Sequence, residues 1–177
     1  NATILIGGES GFAYSNSNIS GVAVWDRAIA PSEISELYSV GAGSVLSSNY
    51  HWTMNNNDYL SGSIEYHKDK IANTENMRVY GSVARVDGRV GDAIQFGSGN
   101  LNNYLYSATA LSTAETSFTA SCWVRREAGG TCYGTVFNYG GQSAGNGSTS
   151  NHGAYLFISS GERPALTFFM LNDEIVV

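Results

Sequence analysis

Proline, cysteine and charged residues are all scarce in this chain of 177 residues. Charged side chains make up 14% of the residues, against about 25% in ordinary soluble domains. A helical bundle needs many alanines, leucines, glutamates and lysines, so the low share of charged residues disfavours that class. No apolar run approaches the roughly 18 residues that a membrane-spanning helix needs, and we therefore expect no insertion into a membrane.

Glycine and tyrosine are abundant instead. The chain has 21 glycines, well above the usual share of about 7%, and 11 tyrosines. Tyrosine favours strands, and glycine supplies the tight turns between them. This composition predicts an all-β protein built of many short strands.

The net charge of -6 argues against a nucleic-acid partner. Nucleic-acid binding needs clustered Lys and Arg side chains. The only dense basic position, Arg125-Arg126, is followed at once by Glu127. An acidic surface rich in Asn, Ser and Gly is typical of a solvated outer surface, and it tolerates cations.

The two clearest strands lie far apart in the chain. In the segment 19–25, Ile19, Gly21, Ala23 and Trp25 are predicted on one face, and Ser20, Val22 and Val24 on the other. Because both faces carry apolar residues, we expect this strand to be buried on both sides. In the segment 117–125, Phe118, Ala120, Cys122 and Val124 alternate with polar residues and Trp123. This second strand and the segment 133–139 are predicted to be a hairpin or neighbouring strands.

Two cysteines are too few to indicate a redox compartment. Cys122 and Cys132 each lie near one end of the predicted hairpin, so they could bridge neighbouring strands. Two small, buried, reduced residues fit the pattern equally well. Both alternatives stay open from the sequence alone.

One short helix is predicted after the first of these strands. Pro31 suits the first helical position, and Glu33 lies in the first turn near the positive end of the helix dipole. Apolar residues then recur at helical spacing until Gly41 ends the helix. A helix this short must be held by packing on a sheet.

The rest of the chain alternates between short strands and turns. Asp87-Gly88 is a turn signal, the segment 140–153 is a predicted surface loop, and the segment 60–78 has no clear pattern. Further strands are predicted at 2–6, 50–54, 79–86, 93–96, 101–107, 154–159, 165–171 and 175–177. Many short strands with glycine turns indicate a β-sandwich or a jelly roll.

Three segments resemble domains of the laminin-G-like and concanavalin A-like family. The segment 19–38 (ISGVAVWDRAIAPSEISELY) is similar to the closing strand and helix of such domains. The segments 88–96 (GRVGDAIQF) and 117–125 (SFTASCWVR) are similar to early strands. The resemblance implies a concanavalin A-like jelly-roll sandwich of two antiparallel sheets with one short helix.

The order of these segments is unusual for that family. Residues 1–46 resemble the closing strands and helix of one unit, and residues 49–177 resemble the opening strands of another. The chain is then a slice of a tandem array, a circular permutant, or a subunit whose first segment completes the next copy. Unpaired strand edges favour such completion by a neighbour.

The resemblance raises the question of catalysis, because some relatives cleave sugars. Those enzymes carry their acids as Glu-x-Asp-x-x-Glu or Glu-x-Asp-x-Glu on one strand, and no such run occurs here. Asp173 and Glu174 are adjacent, so they point to opposite faces of a strand. We therefore expect a protein that is not an enzyme.

The resemblance also implies a calcium ion bound in loops at one end of the sandwich. Calcium takes several oxygen ligands, and the stretch 55–58 (Asn-Asn-Asn-Asp) offers them. Asn56 and Asp58 are the candidate metal ligands. Plain turn chemistry is the alternative explanation for these residues.

Glycan binding would need an aromatic platform with polar neighbours. Trp123, Tyr104, Tyr133, Tyr139 and Tyr155 are candidates, although Trp25, Trp52 and Trp123 are predicted to belong to the core rather than to a binding site. The loop 140–153 follows Tyr139 directly. The candidate ligand-binding residues are therefore Tyr139, Asn151 and His152.

The function predicted from these patterns is a non-catalytic structural or interaction module of a virion, fibre or extracellular assembly, with glycan binding. A carbohydrate-binding adhesion lectin is the alternative, and a glycoside hydrolase is less favoured. The expected partners are neighbouring copies or other assembly proteins, and glycans. The expected location is extracellular or on a virion surface.

Overall fold

A computed structural model describes residues 3–8, 15–40, 48–55, 59–61, 64–71, 75–89, 91–97, 103–107, 117–127, 134–139, 153–158, 164–170 and 173–176. Over these residues the backbone forms fourteen strands and one helix. In chain order they are β1 (Ile4–Ile6), β2 (Ser17–Trp25), α1 (Pro31–Val40), β3 (Tyr50–Trp52), β4 (Tyr59–Ser61), β5 (Ile64–His67), β6 (Met77–Tyr80), β7 (Ala84–Asp87), β8 (Asp92–Phe96), β9 (Tyr104–Ser107), β10 (Thr119–Arg126), β11 (Gly134–Tyr139), β12 (Gly153–Ile158), β13 (Pro164–Met170) and β14 (Asp173–Val176).

The strands form two antiparallel sheets. The larger sheet has nine strands in the order β14-β13-β12-β11-β1-β9-β6-β5-β4. The smaller has five, in the order β10-β2-β8-β7 with β3 also paired to β2. The predicted all-β class, with two antiparallel sheets and one short helix, is confirmed. Among the described residues no helix is long and apolar enough to cross a membrane.

The main core lies between the two sheets. The larger sheet contributes Ile4, Ile6 and Leu105, all fully buried, among others. The smaller sheet contributes residues such as Trp52 and Phe96, which are equally buried. Burial of apolar side chains from both inner faces is what holds two sheets together as a sandwich.

Strand β2 is buried along its whole length, as its apolar residues on both faces predicted. The predicted division between its faces is wrong, however, because the strand carries a bulge. Ser121 pairs with Ala23 and Trp123 pairs with Ser20, so β2 has one residue more than β10 between these pairs. Gly21 has a φ of 56° there, a backbone conformation that glycine adopts without a Cβ clash.

The bulge moves residues from one face of β2 to the other. Ile19 joins Val22 and Val24 in the core between the sheets. Ala23 and Trp25 belong to a separate apolar cluster on the outer face of the smaller sheet. Strict alternation cannot place Ile19 and Val22 on one face. Residues on the same face of a regular strand are separated by an even number of positions, and these two are three apart.

The prediction that β10 and the segment 133–139 are neighbouring strands is also wrong. Strand β10 pairs with β2 in the smaller sheet, whereas β11 pairs with β1 and β12 in the larger sheet. The connection therefore crosses from one sheet to the other. The alternation within β10 is nevertheless confirmed, because Phe118, Ala120, Cys122 and Val124 pack against the main core.

The segment 60–78, which had no clear pattern, contains β4, β5 and the start of β6. The single strand predicted at 79–86 is wrong, because the chain turns at Gly81 and changes sheets. Strand β6 ends at Tyr80 in the larger sheet, and β7 begins at Ala84 in the smaller. The turn predicted at Asp87-Gly88 is confirmed, since it joins β7 to β8 and Gly88 N donates to Gly91 O.

The first segment of the chain contributes one strand to each sheet. Strand β1 lies between β11 and β9, and β2 lies between β10 and β8. Both are therefore central strands that pair on each side with strands from residues 49–177. The resemblance divides the chain at about residue 46, but the hydrogen bonds of both sheets join the two parts.

Helix α1 begins and ends where the sequence predicts, from Pro31 to the residue before Gly41. Its first turn is held by Glu33, whose carboxylate accepts the backbone N–H of Ala30 at 2.7 Å. Arg27 donates two further bonds to the same carboxylate, at 2.7 and 2.9 Å. Chiefly through the hydrogen bonds from Arg27, the pKa of Glu33 is lowered to about 2.

We expect Glu33→Gln to weaken this helix start at neutral pH but not in acid. The pKa of Glu33 is lower in the folded chain than in the unfolded one, so the stabilisation is complete above the ordinary pKa of 4.5. It is lost as the pH falls through about 2. Melting temperatures of both proteins between pH 7 and pH 2 should converge at the acid end. A difference that stays constant over this range would contradict the assignment.

Candidate functional site

The outer face of the smaller sheet is divided between the helix and an open region. Leu37 of α1 packs on Ala23 and Trp25, which the bulge of β2 has turned outward. Ile29, just before the helix, completes this cluster. The helix thus covers one end of the outer face, and its Tyr38 reaches as far as Trp123.

A pocket of about 350 Å³ lies on this outer face. Ligand pockets commonly span about 300–1,000 Å³, so this one suits a small ligand. Its walls include Asn18 and Ser20 of β2, Asp87 and Arg89 at the turn from β7 to β8, and Trp123 and Arg125 of β10. We refer to it as the Trp123 pocket.

Trp123 is the aromatic wall of this pocket, and the prediction that it belongs to the core is wrong. It is only partly buried and belongs to neither apolar cluster, whereas Trp25 and Trp52 are fully buried as predicted. The ring of Tyr38 lies 5.6 Å from it, and the Arg89 guanidinium lies 5.5 Å from its centroid. The indole is therefore held by an aromatic side chain and a cation while remaining accessible from the pocket.

Asn18 supplies a buried polar atom at the pocket. The residue is 3% exposed, and its Nδ2 donates to Glu127 Oε1 at 2.6 Å. Arg125 donates to the same carboxylate oxygen at 3.2 Å, so Glu127 positions two residues of the pocket wall. Within the described part of the chain, the buried Asn18 Oδ1 accepts no hydrogen bond. Such an acceptor favours a ligand that donates to it, because an unsatisfied buried polar atom costs free energy.

Cys122 lies beside Trp123 in the sequence but faces the core. The residue retains some exposure, yet its thiol is desolvated, and this desolvation raises its pKa to about 12. A thiol that stays protonated at neutral pH is a poor nucleophile and a poor metal ligand. It forms no disulfide with any described residue, and Cys132 lies outside the described residues.

Of the three predicted ligand-binding residues, Tyr139 alone is among the described residues. Tyr139 packs against the main core, with its ring 4.8 Å from that of Phe118. Asn151 and His152 lie outside the described residues. Tyr139 thus has a packing role here.

The candidate metal ligands Asn56 and Asp58 also lie outside the described residues. Asn55, the first residue of the same polar stretch, is described, and its side-chain oxygen accepts the Asp92 backbone N–H at 2.9 Å. Turn chemistry therefore explains Asn55. In the described residues no three His, Cys, Asp or Glu side chains are grouped to hold a metal ion.

A second aromatic surface lies on the outer face of the larger sheet. Tyr80 and Tyr104 are opposite one another on β6 and β9, with rings 4.8 Å apart. Tyr106 follows at 5.9 Å from Tyr104, and the Arg78 guanidinium lies 5.7 Å from the Tyr106 ring. These cross-strand contacts stabilise the sheet.

Reasoning from the sequence missed Asn18, Asp87 and Arg89. The sequence predicted a turn at Asp87-Gly88, but nothing local indicated that this turn lies beside Trp123. Asn18 could not be assigned to an outer face, because the bulge at Gly21 sets the faces of β2. The pocket is formed by three strands that are distant in the sequence.

A comparison of this chain with models of known protein families, with curated protein sequences and with solved structures finds no match. The resemblance to laminin-G-like domains thus depends on the three sequence segments alone.

Proposed function

We propose that this protein is a non-catalytic interaction module of an extracellular or virion-surface assembly, and that it binds a glycan in the Trp123 pocket. One observation supports the glycan most directly. A partly exposed indole lies beside a buried amide oxygen without a hydrogen-bond donor among the described residues. A sugar ring offers an apolar face for the indole and hydroxyl groups for the oxygen.

The composition of the pocket favours binding rather than hydrolysis. Hydrolysis of glycosides uses two carboxyl groups, about 5 to 9.5 Å apart depending on the stereochemistry. Asp87 is the one acid among the described residues that line the pocket. Glu127 is engaged by Asn18 and Arg125, which makes it a positioning group for the pocket wall.

We also propose that the chain folds as a permuted jelly-roll sandwich. The pairing of β1 and β2 with strands from residues 49–177 supports this, because each occupies a central position in its sheet. If the chain were a slice of a tandem array, residues 1–46 would belong to a different unit. Another segment would then have to fill the central positions that β1 and β2 occupy here. Completion in trans by a neighbouring copy would use the same pairs and would make the protein an assembly subunit.

The glycan hypothesis is tested by removing the indole. Saccharides that bind are first found on a glycan array and then titrated against wild type, Trp123→Ala and Tyr106→Ala. We expect Trp123→Ala to weaken binding at least about tenfold, which corresponds to about 1.4 kcal/mol of lost contact. Tyr106→Ala is the matched control, because it removes an aromatic side chain that also stacks beside an arginine, but on the opposite sheet.

Binding by both variants at wild-type strength would place the glycan elsewhere and overturn the assignment to this pocket. Thermal unfolding shows whether Trp123→Ala remains folded. Ligand-induced tryptophan fluorescence of the wild type gives a second readout, since the other two tryptophans, Trp25 and Trp52, are 1% and 0% exposed.

A further inference from the structure

We infer that the saccharide in the Trp123 pocket carries an oxyanion, a carboxylate or a sulfate, and that Arg89 determines this specificity. The inference depends on the proposed glycan binding and goes beyond it by stating the charge of the ligand. It follows from the charges around the pocket and from the position of Arg89.

Cations are scarce in this protein, yet two of its nine Lys and Arg residues line the Trp123 pocket. Arg125 is neutralised by Glu127 at 3.2 Å. Arg89 forms no ion pair with any described residue, and its one described interaction is with the face of Trp123. An arginine that lines a pocket and forms no ion pair with a described residue is suited to an anionic ligand group.

Arg89 also occupies the surface that a sugar ring would use. Its guanidinium lies 5.5 Å from the indole centroid, so a ring that stacks on that face must displace it. A cation–π contact at an exposed site is weaker than a hydrogen bond between two charged groups. Exchange of the indole for an oxyanion is therefore favourable. Arg89 is exposed at the turn between β7 and β8, where its side chain has room to rotate.

The remaining groups indicate a short ligand with few charges rather than a polyanion. The net charge of -6 repels a highly charged chain at long range. Asp87 lines the same pocket and would repel a second oxyanion nearby. Asp87 and Asn18 Oδ1 are both acceptors, so they suit the hydroxyl groups of the same ring.

The test uses two matched pairs of disaccharides. One pair is a glucuronic acid disaccharide and its carboxyl-reduced counterpart, and the other is a 6-sulfated disaccharide and its unsulfated parent. Each is titrated by tryptophan fluorescence against wild type, Arg89→Ala and Arg78→Ala. Arg78 is the matched control, because its guanidinium also lies over an aromatic ring but far from the pocket.

We expect wild type and Arg78→Ala to prefer the anionic member of at least one pair by about tenfold or more. In Arg89→Ala this preference should disappear while the neutral member binds as well as before or better, since the indole face is then open. The pair that shows the preference distinguishes carboxylate from sulfate. Equal binding of the neutral and anionic members by wild type, or an unchanged preference in Arg89→Ala, overturns the inference and leaves the glycan pocket standing. Binding of no saccharide at all overturns both proposals.

Discussion

Replacing Trp52 by alanine is expected to lower the free energy of unfolding by about 3–5 kcal/mol, the usual cost of removing a large aromatic side chain from a core. Trp52 is 0% exposed and lies between the two sheets. Its ring stacks on that of Tyr50 at 5.9 Å, and its Nε1 donates to the carbonyl oxygen of Glu75 at 2.7 Å. For a chain of this size the melting temperature should fall by roughly 6–20 °C.

Two further variants separate the causes of this loss. Trp52→Phe keeps most of the packing but removes the donor to Glu75, which should cost about 1–3 kcal/mol. Tyr80→Ala removes an aromatic side chain that is 49% exposed, and it should cost less than about 1.5 kcal/mol. Urea unfolding measures all three. A Trp52→Ala protein as stable as Tyr80→Ala would show that Trp52 does not lie in the core.

Replacing Gly7 by alanine is expected to destabilise the sandwich through its backbone and its packing together. A Cβ at Gly7 would clash with the ring of Phe96, which is itself 1% exposed. The φ of Gly7 is 81°, and a left-handed backbone costs a residue with a side chain about 1–3 kcal/mol. Overpacking a core costs about 1–3 kcal/mol more, so the total is roughly 2–6 kcal/mol.

The backbone at Gly7 cannot move away easily. Its N–H donates to the Val136 carbonyl, and its own carbonyl accepts from Ser15. Gly97→Ala is the matched control, because its φ is not positive and a Cβ there meets nothing within 4 Å. Adding Phe96→Leu to Gly7→Ala should recover part of the packing cost, which appears as a coupling energy in a double-mutant cycle. Equal melting temperatures for Gly7→Ala and Gly97→Ala would contradict the close approach to Phe96.

Much of the local structure could be predicted because local patterns determine it. Alternation in β10 placed Phe118, Cys122 and Val124 on the core side, and Pro31 and Gly41 bounded the helix. The same reasoning failed at Ile19, because the extra residue of the bulge at Gly21 moves the residues before it to the opposite face of β2. It also failed at Val79–Val86, where Gly81 separates two strands that belong to different sheets.

The pocket was beyond prediction for a related reason. Trp123, Asn18 and Arg89 are brought together by pairing between β10, β2 and β8, and this pairing joins residues that are 75 to 109 positions apart in the sequence. A partly exposed tryptophan and a buried one occupy the same kind of position in an alternating strand. The helix packs over Trp25, whereas Trp123 lines a pocket, and the tertiary structure alone sets this difference.

The amino-acid sequence by itself determined the all-β class, the single short helix and the inward face of β10, because these follow from side-chain period, turn residues and helix signals within a few neighbouring residues. The tertiary structure alone decided which sheet each strand joined, the outward turn of Asn18 and Ser20, and the pocket beside Trp123. Those features depend on hydrogen bonds and burial between segments far apart in the chain, and no local pattern encodes them.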